Sequence, residues 1–128
     1  MTDREHAQAL LEMAEKDFKA LQGMLDAAAF DDEIFGFHAQ QAVEKSLKAW
    51  IAFLGKRYSK THDLDDLLDE LEDAGQDVKD LGSLVDLNPF AVQFRYEAGA
   101  DGDTPVDRQS LLQDVAALIA RIKKVFAT

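Results

Sequence analysis

The chain has 128 residues, a formal net charge of -11 and no cysteine. That length suits a single domain (residues 1–128) with one core, and the lack of cysteine excludes disulfides, thiolate metal sites and cysteine nucleophiles. No apolar run approaches the ~20 residues that span a bilayer, and no basic segment leads into an apolar one at the start, so a cytoplasmic, membrane-free protein is expected.

Two prolines and seven glycines punctuate the sequence, and apolar residues recur between them at steps of three and four. That spacing predicts an all-α fold: an up-and-down antiparallel bundle of four to five helices, two long N-terminal ones followed by shorter ones. The first helix is expected from about Asp3 to Ala29, capped by Thr2 or Asp3. Its inward stripe is Ala7, Leu10, Leu11, Ala14, Phe18, Leu21 and Leu25. The second is expected from Asp31 or Asp32 to Leu54, with Phe35, Ala39, Ala42, Val43, Ser46, Ala49, Trp50 and Phe53 inward. Gly55 suits the position just after a helix end, where positive φ costs a glycine little. Two helices of about 25 residues, roughly 37 Å each, joined by a short link, make an antiparallel hairpin.

A loop over Lys56 to Thr61 leads to a shorter helix that starts at Thr61 or Asp63, carries Leu64, Leu67, Leu68 and Leu71, and stops at Gly75. From Asp63 to Asp86 there are ten acidic residues and one lysine, Lys79, which reads as a solvated face opposite the leucines. Asn88-Pro89 is expected to begin another helix bearing Phe90, Phe94, Arg95 and Tyr96. Ala98 to Asp103 reads as a polar loop. Thr104-Pro105 with Asp107 reads as the start of the last helix, with Val106, Leu111, Val115, Leu118, Ile119, Ile122, Val125 and Phe126. No internal repeat is apparent.

Against this acidic background lies one basic island. Lys45, Lys48, Lys56, Arg57 and Lys60 occur with no acid between them. The net charge opposes broad adhesion to nucleic acid, so the island is either a focused anion site or an internal ion-pairing surface. His38, Gln41, Lys45 and Lys48 fall on one strip of the second helix. That strip either meets a nucleotide or RNA phosphate, or is a solvated flank with Glu44–Lys48 as an ordinary (i, i+4) pair. Arg57 and His62, with four residues between them, pair a phosphate fork with a group that titrates near neutrality. The plainer alternative is that His62 caps the third helix and Arg57 points to solvent. Arg95-Tyr96 can present a cation and a phenol, or simply pack. Trp50 reads as core. His6, His38 and His62 make no close pair, and no metal site or cofactor motif is expected.

The run F-x-A-Q-Q-A-x-E-K-x-L-K-A at Phe37 to Ala49, the glycine at Gly55, and T-H-D-L at Thr61 to Leu64 with Leu67 and Leu68 resemble the HEPN domain family. Arg95-Tyr96 stands where that branch has R-Y-P, with Glu97 in place of the proline. The resemblance covers nearly the whole chain. It implies a helical bundle that dimerises, and small prokaryotic members of this kind act beside a minimal nucleotidyltransferase in toxin–antitoxin pairs. Many members resembling it are RNases, with an arginine and a histidine four to six residues later, placed after the third long helix. Here the corresponding arginine is Arg95, and no histidine follows it; the Arg57/His62 pair has the spacing but lies earlier.

The resulting expectation is a nucleotide- or RNA-binding or adaptor protein, a homodimer acting with a nucleotidyltransferase partner, with His38, Gln41, Lys45, Lys48, Arg95 and Tyr96 as the phosphate-binding set. One alternative is a metal-independent RNase toxin using Arg57 or Arg95 with His62. Another is a helical oligomerisation scaffold with no small ligand.

Overall fold

A computed structural model describes residues 2–91 and 106–128. Its elements in chain order are α1 (Asp3–Gly23), α2 (Asp32–Phe53), α3 (Leu64–Asp73), a 3-10 stretch η1 (Lys79–Ala91) and α4 (Arg108–Phe126). No strand occurs among the described residues. The all-α bundle is therefore the architecture, built on two long helices as their periodicity requires.

The Thr2 hydroxyl accepts the Glu5 N–H at 3.1 Å and starts α1. α1 and α2 have 21 and 22 residues and pack as a hairpin, each about 32 Å long at ~1.5 Å per residue. α2 is the central helix and packs on α1, α3, η1 and α4. Neighbours on several sides explain why its buried surface extends beyond the expected stripe. Leu47, Ile51, Gln40 and Glu44 are buried along with Phe35, Ala39, Ala42, Val43, Ala49 and Trp50. Leu64, Leu67, Leu68 and Leu71 of α3, with Val115, Leu118, Ile119 and Ile122 of α4, complete the core. Gly55 and Gly75 adopt positive φ of 75° and 83°, so both are stops that a side chain would strain.

Three boundaries depart from expectation. α1 ends at Gly23, not near Ala29. The Asp26 side chain accepts the Ala28 N–H at 2.9 Å, a local turn that competes with helix. Arg108 of α4 then takes up the nearby carbonyls of Met24 and Phe30 at 2.7 and 2.6 Å.

Asn88-Pro89 does not begin a helix. It lies inside η1, and the Asn88 side chain serves α3 instead, accepting the Leu64 N–H at 2.9 Å and donating to Asp63 at 3.0 Å. Phe94, Arg95 and Tyr96, expected on that helix, lie outside the described residues.

α4 starts at Arg108 with Asp107 as its cap, the Asp107 carboxylate accepting the Ser110 N–H at 3.1 Å. Thr104 and Pro105 are outside the described residues. Gly36 has a specific packing role: a Cβ there would lie 2.4 Å from the Phe90 ring, so η1 docks on α2 through this missing side chain.

Candidate functional site

The basic island divides into two parts with different surroundings. On α2 the polar strip is engaged within the chain. Lys45 Nζ donates to Asp17 Oδ2 at 2.7 Å, and His38 Nδ1 to Asp17 Oδ1 at 3.2 Å. Lys48 Nζ donates to Glu44 Oε2 at 2.9 Å and lies 5.4 Å from the Tyr58 ring centroid. Gln41 donates to the Gln40 side-chain oxygen at 2.7 Å. Asp17 comes from α1, so the strip ties the two long helices together. A phosphate arriving at Lys45 or Lys48 has to compete with a carboxylate already in contact. Nor is the strip a solvated flank: the Lys48 and Glu44 side chains are only 13% and 6% exposed.

Gln40, Glu44 and Lys48 stand four residues apart on α2; the first two bond His62 from the loop before α3, and Lys48 bonds the other oxygen of Glu44. Glu44 Oε1 accepts from Gln40 at 2.9 Å and from His62 Nδ1 at 2.9 Å. Gln40 also donates to the His62 carbonyl at 3.1 Å. Burial pushes the Glu44 carboxyl up. Hydrogen bonds from Gln40, Lys48 and His62, with the Lys48 charge, outweigh it and hold Glu44 below the ordinary glutamate value. The side chain of His62 is 70% exposed. An exposed histidine is thus held by two buried polar residues, Glu44 at its ring and Gln40 at its backbone carbonyl.

The loop between α2 and α3 holds the other part of the island. Lys56, Arg57 and Lys60 are exposed and join no ion pair among the described residues. The loop is nonetheless fixed. Ser59 N–H donates to Glu70 Oε1 at 3.1 Å and its hydroxyl to the other Glu70 oxygen. Tyr58 OH pairs with His6 Nε2 at 2.7 Å, and the two rings stack with centroids 5.8 Å apart. Lys56 and Arg57 border a shallow cavity of about 250 Å³ beside Glu70 and Asp73.

His62 does not cap α3 with its ring. Asp63 does, its carboxylate accepting the Asp65 N–H at 2.9 Å. No hydrogen bond joins Arg57 to His62 among the described residues: His62 turns to α2, and Arg57 borders the α3 side. Arg95 and Tyr96 lie outside the described residues. Trp50 is core at 1% exposure, with the Arg121 guanidinium 5.0 Å from its ring centroid.

Sequence reasoning gave no role to Gln40 or Asp17, and named Glu44 only as the (i, i+4) partner of Lys48. A signal existed for Gln40 and Glu44, since Gln40, Glu44 and Lys48 share one helix face. Asp17 had none, because its partners lie 21 and 28 positions away. Among the described residues, no group of three His, Cys, Asp or Glu side chains is arranged to hold a metal, and no helix is long and apolar enough to cross a membrane.

The HEPN domain family model matches residues 7–125, nearly the whole chain, so the protein belongs to that family. No curated protein and no solved structure matches it significantly. The two halves of the motif, Phe37–Ala49 and Thr61–Leu64, are the segments that the Gln40–Glu44–His62 hydrogen bonds join.

Proposed function

We propose that this HEPN-domain chain is a nucleotide- or RNA-directed binding module. It works as a homodimer beside a nucleotidyltransferase partner, in a toxin–antitoxin-like pair. Family membership supports a nucleotide- or RNA-related role. The observation that carries the phosphate contact is the loop: in a chain of net charge -11, Lys56, Arg57 and Lys60 are exposed and form no ion pair among the described residues. In a repelling mean field, phosphate affinity has to come from a local cluster of uncompensated cations. This shifts the main contact from the α2 strip to the loop, with Lys45 and Lys48 behind it.

The test is fluorescence anisotropy with a labelled single-stranded oligoribonucleotide at low salt. The native chain binds, and changing Lys56, Arg57 and Lys60 together to Gln removes most of the affinity, whereas changing Lys45 to Gln leaves most of it. Equal loss in both variants would defeat the loop assignment. Co-purification with a nucleotidyltransferase tests the partner.

A second reading, a metal-independent RNase using Arg57 or Arg95 with His62, is favoured by one observation. The His62 ring is exposed while its Nδ1 is held by a carboxylate, an arrangement that suits proton exchange. Cleavage of a structured RNA in EDTA, lost in His62→Ala, is its expected signature. Intact RNA after prolonged incubation would count against it.

A further inference from the structure

We infer that Gln40 and Glu44 are positioning residues for an anion-sensing histidine. They hold His62 with Nδ1–H inward, so that Nε2 faces the ligand phosphate at the basic loop. This rests on the loop as the phosphate contact.

Burying an amide and a carboxylate is costly unless both are satisfied. Here each meets Gln41 or Lys48 on α2, and each also spends one hydrogen bond on a residue that is itself exposed. Glu44 takes the ring nitrogen and Gln40 the backbone carbonyl, so ring and main chain are both located. A surface-seeking histidine needs neither restraint to fold. Bonding to a carboxylate selects the tautomer with the proton on Nδ1 and leaves the Nε2 lone pair outward. Nε2 has no partner among the described residues, and the side chain is 70% exposed. Lys60 precedes it by two residues, and Lys56 and Arg57 share its loop.

The charged neighbours of the ring can be named from each element. Glu44, with Lys48 on its second oxygen, comes from α2. Lys60 and Asp63 are its neighbours along the loop, and Asp66 of α3 accepts a hydrogen bond from the adjacent Thr61 at 3.0 Å. With neutral His62, Nε2 offers a phosphate only a lone pair. When a phosphodiester binds, the ring takes one proton from solvent, Nε2–H donates to a phosphate oxygen, and Nδ1–H stays on Glu44. No covalent bond changes. The site therefore takes up a phosphate ester together with a proton.

Titration calorimetry tests this with the full chain and a short oligouridylate lacking terminal phosphates, so that the ligand does not titrate near neutrality. Runs at one pH near 7 in buffers of different ionisation enthalpy count protons. The expected result is uptake of up to about one proton per binding event in the native chain. His62→Ala should bind about five-fold more weakly with no uptake, since it loses one charge-assisted hydrogen bond. Glu44→Gln, if folded, should show reduced uptake. A purely structural Glu44–His62 tie would leave binding heats independent of buffer. Binding with buffer-independent heat, or uptake that persists in His62→Ala, overturns the inference and leaves the loop assignment intact. No binding by the native chain removes the loop assignment and the inference together.

Discussion

His62 and Glu44, 18 positions apart, meet through a 2.9 Å hydrogen bond from the imidazole Nδ1 to a carboxylate oxygen. The Glu44 side chain is 6% exposed and the His62 side chain 70%, so the pair spans the boundary between core and solvent. This bond joins the central helix to the loop that carries Lys56, Arg57 and Lys60.

The first prediction concerns acid stability. Burial raises the Glu44 carboxyl, and the Gln40, Lys48 and His62 contacts lower it further than burial raises it. A carboxyl whose folded pKa lies below its unfolded value adds stability at pH above the unfolded value. That stability is lost as pH falls through the folded value. The urea midpoint of the native chain should therefore decline on acidification below the ordinary glutamate range. Glu44→Gln should lose about 1–3 kcal/mol at neutral pH and show a shallower acid decline. An unchanged slope in the variant would mean that other carboxyls govern acid unfolding.

Arg108 is the second. It is 7% exposed and its guanidinium donates to the Met24 and Phe30 carbonyls and to Asp32 Oδ1 at 2.9 Å, with the Phe35 ring centroid 5.0 Å away. One side chain of α4 thus holds the α1–α2 connection. Arg108→Met should cost about 2–4 kcal/mol, because two carbonyls and a carboxylate lose their donor. Arg108→Lys should recover only part, since a single ammonium cannot reproduce the fork. Chemical denaturation measures both, and a loss under 1 kcal/mol for Met would contradict the clamp.

Gly36 and Phe90 give a third. A Cβ at Gly36 would meet the Phe90 ring at 2.4 to 2.6 Å. The helical gain from Gly to Ala, up to about 1 kcal/mol, is outweighed by an overpacking cost of about 1–3 kcal/mol. Gly36→Ala is expected to destabilise the native chain but to be neutral or stabilising when combined with Phe90→Ala. Simple additivity in the double-mutant cycle would rule out the contact as the cause.

Salt dependence supplies a fourth. Each phosphate neutralised on a single strand contributes about 0.7 to the slope of log affinity against log salt. Replacing Lys56, Arg57 and Lys60 together should lower that slope by about two, as read by anisotropy across a salt series. A slope unchanged by the triple substitution would place the phosphates elsewhere.

Asn88 offers a fifth, local to α3. Its side chain accepts the Leu64 N–H at 2.9 Å and donates to the capping carboxylate of Asp63 at 3.0 Å. Asn88→Ala should cost about 1 kcal/mol and speed hydrogen exchange at the Leu64 amide. Exchange as slow as in the native chain would show that the cap is dispensable.

Helices α1, α2 and α3 were legible because local periodicity and stop residues govern them. Gly55 and Gly75 end α2 and α3 in the positive-φ conformation their residue type allows. The early end of α1 was not legible, since the Leu25 stripe continues past it. Nor was the role of Asn88, whose side chain caps a helix 24 residues upstream rather than starting its own.

Composition and spacing alone determined the all-helical class, one inward stripe on each long helix and the presence of a basic island in an acidic chain. These depend on neighbours within a few residues along the sequence. Only the tertiary structure decided which cations of that island are compensated. Asp17 lies 28 positions from Lys45, and Glu44 lies 18 from His62. Ion pairing falls steeply with distance in space, and separation along the chain carries no information about it until the helices pack.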